Sequence, residues 1–253
     1  MDETKEGRDL NQKPWPASSL LGRMSGRVRE AFLELGTAVT YGARQKIIRQ
    51  GEESHHVLVL VDGIVKVFVE TEFGSPVLLG LRGRGDLLGE MSVLEGRPRS
   101  ANVMTCTAAH VKLIKSAQLK NFLDRNPDAW SAVAASLSSR LHWANKRRAE
   151  FVACPAPVRV GRVLAEITGR YGVRTAEGWD LDVSLTQAEI ASLAGVALAT
   201  FEKALQLLHR AGLVRRQYRR IVVDDLEGLA LFGGSDLRNP YQYGMGDADV
   251  AQS

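Results

Sequence analysis

Hydrophobic positions fall in short runs over the first half of the chain and at helical spacing over the second. Val57-Leu58-Val59-Leu60-Val61 and Ile64-Val65-Lys66-Val67-Phe68-Val69 are rich in β-branched residues, and Gly51, Asp62-Gly63, Gly74-Ser75-Pro76 and Gly80 punctuate them. Residues 20–114 are therefore predicted as a small β-sandwich or barrel, opened by a short helix over 24–35. The Asp62-Gly63 step between two runs predicts a tight hairpin turn, because glycine tolerates positive φ.

The period changes at Asn126-Pro127-Asp128, where Asn suits an N-cap, Pro the first helical turn and Asp the positive end of the helix dipole. One long helix is predicted over 127–150. Its apolar residues Trp130, Val133, Leu137, Leu141 and Ala144 recur at spacings of three and four and form a single seam. Such a seam packs on its own sheet or pairs with its twin across a two-fold axis. Small and charged residues elsewhere on the helix favour the pair. Two prolines in Cys154-Pro155-Ala156-Pro157 then predict a hinge over 151–157. Beyond it come a helix over 158–171, a helix pair over 186–208 broken near Gly195, and two short strands within 213–223 around Gln217-Tyr218. Residues 1–19 and 233–253, polar or glycine-rich, read as flexible tails.

Composition narrows the class of protein without naming one. The 253 residues are 45% hydrophobic and 25% charged, the range of ordinary globular domains. No run of about 18 apolar residues is present to cross a bilayer, and the polar, acidic start does not read as a secretory signal, so the expectation is a cytoplasmic protein with no membrane partner. Cys106 and Cys154 supply neither a disulfide framework nor a four-thiolate cluster site. His55 and His56 lack Cys or carboxylate partners at ligand spacing, and context singles out none of His55, His56, His110 or Cys106 as a haem ligand, so no metal is expected. No nucleophile, base and orienting group form a catalytic motif, so no enzyme is expected. The net charge of +4 permits an anionic partner.

The chemistry gathers first between residues 84 and 101. Gly89-Glu90 is followed nine residues after Glu90 by Arg99-Ser100-Ala101. Glycine lets backbone N–H groups approach an anion, and a following helical turn adds donors. Arginine pairs bidentately with phosphate oxygens, and a carboxylate accepts from a ribose hydroxyl. This spacing resembles the phosphate cassette of cyclic nucleotide-binding domains. With the glycine-punctuated strands at Gly42, Gly51 and Gly63 and the helix start at Asn126, the chain over about residues 20–232 is similar to the cyclic AMP receptor protein and fumarate and nitrate regulator (CRP/FNR) family of bacterial transcription factors.

The resemblance implies an α+β fold: a cyclic nucleotide-binding β-roll, jelly-roll-like, over 20–126, a dimerisation helix over 127–150, the hinge, and a winged helix-turn-helix over 158–232. It implies that Glu90 accepts the ribose 2′-hydroxyl, Arg99 pairs with the cyclic phosphate, and Ser100 and the Gly89 backbone donate to it. It places Ala144 and Asn145 at the base, where only Asn145 offers hydrogen bonds. Cyclic AMP is the expected effector, with cyclic GMP open. The implied partners are double-stranded DNA, a second copy of the chain and RNA polymerase.

The DNA-binding half opens at Thr186-Gln187-Ala188-Glu189, a capping box. Ile190, Leu193, Val196, Phe201, Leu205 and Leu208 supply the apolar face of a helix pair, with Gly195 at its turn. From Lys203 to Arg220 the chain carries Lys203, Arg210, Arg215, Arg216, Arg219 and Arg220 and no acidic residue, the electrostatic footprint of a phosphate backbone. The family's second helix enters the major groove. Where relatives commonly show Ser-Arg-Glu-Thr, this chain has Ala197-Leu198-Ala199-Thr200, which argues against the usual operator, because Leu198 and Ala199 cannot hydrogen-bond base edges. The expected contacts are Thr186 and Gln187 on phosphates, Leu198, Thr200 and Lys203 in the groove, and Arg215, Arg216, Arg219 and Arg220 on the wing. Two alternatives share these residues: a nucleotide-binding signalling or scaffold protein with weak or altered DNA readout, and a ligand-independent regulator.

Overall fold

The computed structural model describes residues 14–72, 74, 76–181, 183–217 and 220–234. Two short helices, α1 (Leu20–Arg23) and α2 (Gly26–Leu33), lead into eight strands: β1 (Thr37–Tyr41), β2 (Lys46–Ile48), β3 (His56–Asp62), β4 (Val65–Val69), β5 (Val77–Arg82), β6 (Leu87–Leu88), β7 (Asn102–Thr105) and β8 (Ala109–Lys115). Helix α3 (Glu90–Glu95) lies between β6 and β7. The strands form two antiparallel sheets ordered β1-β8-β3-β6 and β2-β7-β4-β5. Leu58, Leu60, Val65, Leu88, Val103 and Val111 fill the space between them and are buried.

That division corrects the hairpin expected at Asp62-Gly63. β3 pairs with β6 and β8, and β4 pairs with β5 and β7, so the turn carries the chain from one sheet to the other. The runs either side of it are both apolar because each faces the shared interior, a signal that does not separate a hairpin from a crossing.

The amino-terminal tail differs from expectation at its end. Trp15 lies under the Arg84 guanidinium at 3.9 Å, and the Ser19 hydroxyl caps α1 by accepting from Gly22 N at 3.1 Å. Residues 1–13 and 235–253 of the two expected tails lie outside the described residues.

After α4 (Ser116–Arg125), helix α5 runs from Pro127 to Ala153, three residues past its expected end. The break expected over 151–157 narrows to Cys154 and Pro155, because α6 (Ala156–Tyr171) starts directly after Pro155. The predicted seam divides. Val133 is buried and Leu137 half-buried against the β-roll, whereas Trp130 and Leu141 are 40% and 61% exposed and Val152, beyond them, is 90% exposed.

The carboxyl-terminal half contains α7 (Gln187–Leu193), α8 (Leu198–Arg210) and α9 (Leu226–Phe232), with β9 (Val173–Thr175), β10 (Gly178–Asp180), β11 (Val214–Gln217) and β12 (Arg220–Val223) in one sheet ordered β11-β12-β10-β9. The predicted strand pair is β11-β12. The β9-β10 hairpin and α9 are additions that the sequence reading lacked. Helices α7 and α8 meet at 93° through Gly195, whose φ of +63° favours glycine. No single helix among the described residues is long and apolar enough to cross a membrane.

Candidate functional site

The cassette is built on the turn between β6 and α3. Gly89, at the N-cap of α3, has φ +78°, and a Cβ there would stand 2.1 Å from Arg99 Nη1, so both backbone angle and close approach call for glycine. Glu90 and Arg99 are each only 4% exposed. Arg99 braces the site from within: Nη1 donates to the Gly89 carbonyl at 2.7 Å and to Ser92 Oγ at 2.8 Å, while Nη2 donates to Ser54 Oγ at 2.7 Å and the His56 carbonyl at 2.5 Å. Those bonds occupy all four terminal N–H groups, so a bidentate phosphate contact requires Arg99 to exchange two of them. Ser100, next in the chain, is exposed.

Glu90 reaches across to the long helix. Arg140 of α5 donates from Nη1 to Glu90 Oε1, and its Nη2 donates to the Leu87 carbonyl at 2.7 Å. Sequence reading missed Arg140 in this role. Asn145, expected at the base, is exposed on the same helix, as is Ala144, and it is Arg140 that this chain brings to the cassette. A helical spacing of three and seven from Arg140 continues the line of polar ties. Trp143 Nε1 donates to Glu166 Oε1 at 2.6 Å, and Arg147 Nη2 donates to Glu166 Oε2 at 2.7 Å; Arg162 Nη1 then donates to Glu150 Oε1 at 3.0 Å. One face of α5 therefore holds the cassette at one end and α6 at the other.

The two halves also touch directly. Phe68, Leu78, Leu81 and Cys106 of the β-roll share a buried cluster with Val160, Leu164 and Ile190 of the carboxyl-terminal half. Lys66 Nζ pairs with Glu189 Oε1 at 2.5 Å, and Leu78 N donates to Ser192 Oγ at 3.0 Å, so α7 sits on β5. Burial pushes the Cys106 thiol up to about 12, with Lys66 opposing and Glu189 adding to the shift.

The capping box at the start of α7 forms as expected: Glu189 N donates to Thr186 Oγ1 at 3.2 Å and Thr186 N donates to Glu189 Oε2 at 2.8 Å. Gln187 follows, half-buried, with Arg216 Nη2 3.5 Å from its Oε1. Leu198, 44% exposed, begins α8; Ala197 provides no side-chain cap, and Thr200 and Lys203 are exposed further along the helix. The wing is less positive than its linear sequence suggests. Arg215 Nε pairs with Asp224 Oδ1 at 2.6 Å, and Arg220 Nη1 with Asp180 Oδ2 at 2.8 Å. Both acids stand outside the one-sign run and are folded beside it by the sheet, whereas Arg216 is exposed. Arg219 lies outside the described residues. Among the described residues, no three His, Cys, Asp or Glu side chains gather as a metal site.

Comparison with known proteins assigns both halves. Residues 38–126 match the model of the cyclic nucleotide-binding domain, and residues 158–232 match that of the Crp-like helix-turn-helix domain, together more than half of the chain. The CRP-like cAMP-activated global transcriptional regulator of Mycobacterium tuberculosis (strain ATCC 25618 / H37Rv) is 28% identical over 186 residues, 73% of this chain and 82% of that protein. The cAMP-activated global transcriptional regulator CRP of Escherichia coli O157:H7 is 25% identical over 184 residues, 72% of this chain and 87% of that protein. A solved structure of the c-di-GMP responsive global regulator CLP of Xanthomonas campestris superposes with a TM-score of 0.68 at 21% identity, covering 79% of this chain and all of that one, and shares the fold. The order of a cyclic nucleotide-binding β-domain, a long helix and a Crp-like helix-turn-helix places this chain in the CRP/FNR family of DNA-binding transcription regulators, a family of non-enzymes.

Proposed function

We propose that the protein is a homodimeric transcription regulator whose DNA binding is controlled by a purine cyclic nucleotide held at Gly89, Glu90, Arg99 and Ser100. The observation that carries this reading is the convergence of Glu90 and Arg99 on the β6-α3 turn, with Arg140 of the long helix joined to the same carboxylate. Arg99 supplies charge and, on exchanging two internal acceptors, a bidentate phosphate contact; Glu90 supplies the acceptor for the ribose 2′-hydroxyl. Both contacts are common to cyclic AMP and cyclic GMP. Cyclic AMP is the first effector to titrate, because the two curated relatives are cAMP-activated regulators.

The exposed stripe of Trp130, Leu141 and Val152 supports a second copy packed along α5, since a long helix with large apolar residues facing water buries them in a partner. Asn145, on that exposed side, then reaches the base in the partner's site. Paired copies would present two α8 helices about 34 Å apart on one face of the duplex. Thr186, Gln187, Leu198, Thr200, Lys203 and Arg216 form the DNA face, with Arg215, Arg219 and Arg220 on the wing, and RNA polymerase is the downstream partner. Break and pivot lie within 151–157, between domains at 20–126 and 158–232, and the protein works in the cytoplasm. Effector and DNA bind with reciprocal coupling.

Isothermal titration of the purified protein with cyclic AMP and separately with cyclic GMP tests the sensor: saturable binding that Arg99→Ala abolishes is expected. Full affinity in Arg99→Ala, or binding of neither nucleotide, overturns it. A second reading, a nucleotide-binding signalling or scaffold protein with altered DNA readout, is favoured by one observation: exposed Leu198 and Ala199 begin α8 where base-reading polar residues would stand. Selection from random DNA separates the two, since steep salt dependence without sequence preference is the outcome that second reading requires.

A further inference from the structure

Three arginines stand around the cassette, and they differ in how their donors are used. Arg99 gives its terminal N–H groups to protein acceptors, and Arg140 gives its own to Glu90 and the Leu87 carbonyl. Arg82, at the end of β5, has among the described residues a single hydrogen bond, from Nη1 to the carbonyl of its neighbour Leu81 at 2.7 Å, and no ion pair. A guanidinium carries five N–H donors in a rigid fork, so most of this fork has no protein acceptor. Burial lowers its pKa from the ordinary guanidinium value and the Arg140 charge adds to that, while Asp86, Tyr171 and Glu90 oppose it. Arg82 is half-buried, and none of its unused donor atoms is sealed from solvent, so the open part of the fork is accessible to a bound ligand.

Arg82 folds back over residue 80, which has no side chain to hold it off. A Cβ on Gly80 would stand 3.1 Å from Arg82 Nη1 and 3.9 Å from Trp143 Cη2. The fork and the indole edge therefore meet over Gly80, with Trp143 one turn of α5 from Arg140. In a cyclic nucleotide the base leaves the ribose on the side away from the cyclic phosphate. With phosphate at Arg99 and ribose at Glu90, which Arg140 holds, a base on the far side of the ribose would come within reach of the corner one helical turn along α5, where Trp143 and Arg82 meet.

We propose that Arg82 is a specificity-determining residue, selecting an effector base that presents two adjacent acceptors, as guanine does through O6 and N7, over adenine, which sets an N6 donor beside N7. The inference rests on the cyclic-nucleotide reading above and adds the identity of the base. Arginine bidentate to the O6/N7 edge is the commonest specific contact between a side chain and guanine, and the same fork has no acceptor to meet adenine's amino group. Ala144 offers nothing to compensate, and Asn145, with both a donor and an acceptor, suits either base equally.

Isothermal titration of the full chain with cyclic GMP, cyclic IMP and cyclic AMP tests this, cyclic IMP keeping O6 and N7 but lacking the 2-amino group. Cyclic GMP and cyclic IMP are expected to bind alike and about 5- to 150-fold tighter than cyclic AMP, the discrimination of one bidentate pair. Arg82→Leu should bring the three nucleotides within about 2-fold of one another, and Arg82→Lys, which keeps the charge and loses the fork, should lose most of the preference. Equal affinities, tighter cyclic AMP, or a guanine preference that survives Arg82→Leu overturns the role of Arg82 and leaves a cyclic-nucleotide site standing. Because the wild-type order alone can refute it, a variant that fails to fold does not shield the proposal. No binding of any of the three overturns the cyclic-nucleotide reading, and this inference with it.

Discussion

The carboxylate of Glu90, 5% exposed in the cassette, is paired with the guanidinium of Arg140 on the long helix, fifty residues away in sequence. The residue proposed to meet the effector's ribose is thus held by the same helix that carries Trp143 and Arg147 to Glu166 of α6. An effector that takes Glu90 competes with Arg140 for it, which connects occupancy of the site to the position of α5.

Removing one partner of a buried ion pair leaves the other charge uncompensated, at a cost of about 3–5 kcal/mol. Arg140→Met should therefore destabilise the protein towards the lower end of that range, because Arg140 is itself 22% exposed. Combining it with Glu90→Gln should restore most of the loss. Urea unfolding of the two single variants and the double variant reads the coupling.

The His56 ring bears on the same site and predicts a pH dependence. Burial first, and the Arg99 charge second, hold its pKa below the ordinary value of 6.5. Arg99 donates to Ser54 Oγ, which lies 2.9 Å from His56 Nδ1, so the Ser54 proton goes to a neutral ring. The unfolded chain protonates the His56 ring more readily than the folded one does, so the contribution to stability is complete above 6.5 and is lost as the pH falls through that value. The urea midpoint should drop between about pH 7 and pH 5. In His56→Gln that part of the drop should vanish; an unchanged profile would refute the assignment.

Pairing on the wing predicts unequal contributions to DNA affinity. Lys203→Ala and Arg216→Ala, each removing an exposed cation, should each reduce the slope of log affinity against log salt by about 0.9. Arg215→Ala should change it less, since its guanidinium is already held by Asp224 at 2.6 Å. Fluorescence anisotropy over a salt series distinguishes these outcomes, and equal slopes for all three variants would show that the Asp224 pair opens on DNA.

Contact between the halves is open to a chemical test. Cys106 is buried among residues from both, and its thiol is raised to about 12, whereas Cys154 is half-buried beside Arg162. Iodoacetamide at about pH 8 should modify Cys154 and spare Cys106, because the thiolate is the reacting species. Equal labelling of the two by mass spectrometry would mean that α7 leaves β5 readily in solution.

What could be read from the sequence were features decided within a few residues. The glycine at the N-cap of α3, the helix start at Asn126-Pro127, the Thr186–Glu189 capping box and the turn at Gly195 follow from local backbone angles and hydrogen bonds, and residue type reports those directly. The turn that carries Gly89 and Glu90 follows in the same way from glycine's backbone freedom, whereas Arg99 comes back to it from the segment before β7. Only the tertiary structure decided who meets whom across the chain. It gave Glu90 to Arg140, carried the Asp62-Gly63 turn between sheets, set Asp180 and Asp224 beside a run that is all cationic in one dimension, and joined Lys66 to Glu189 across the two halves. Charge partners and sheet membership depend on which distant segments come within a few ångströms of each other, and neither periodicity nor composition along the chain encodes that distance.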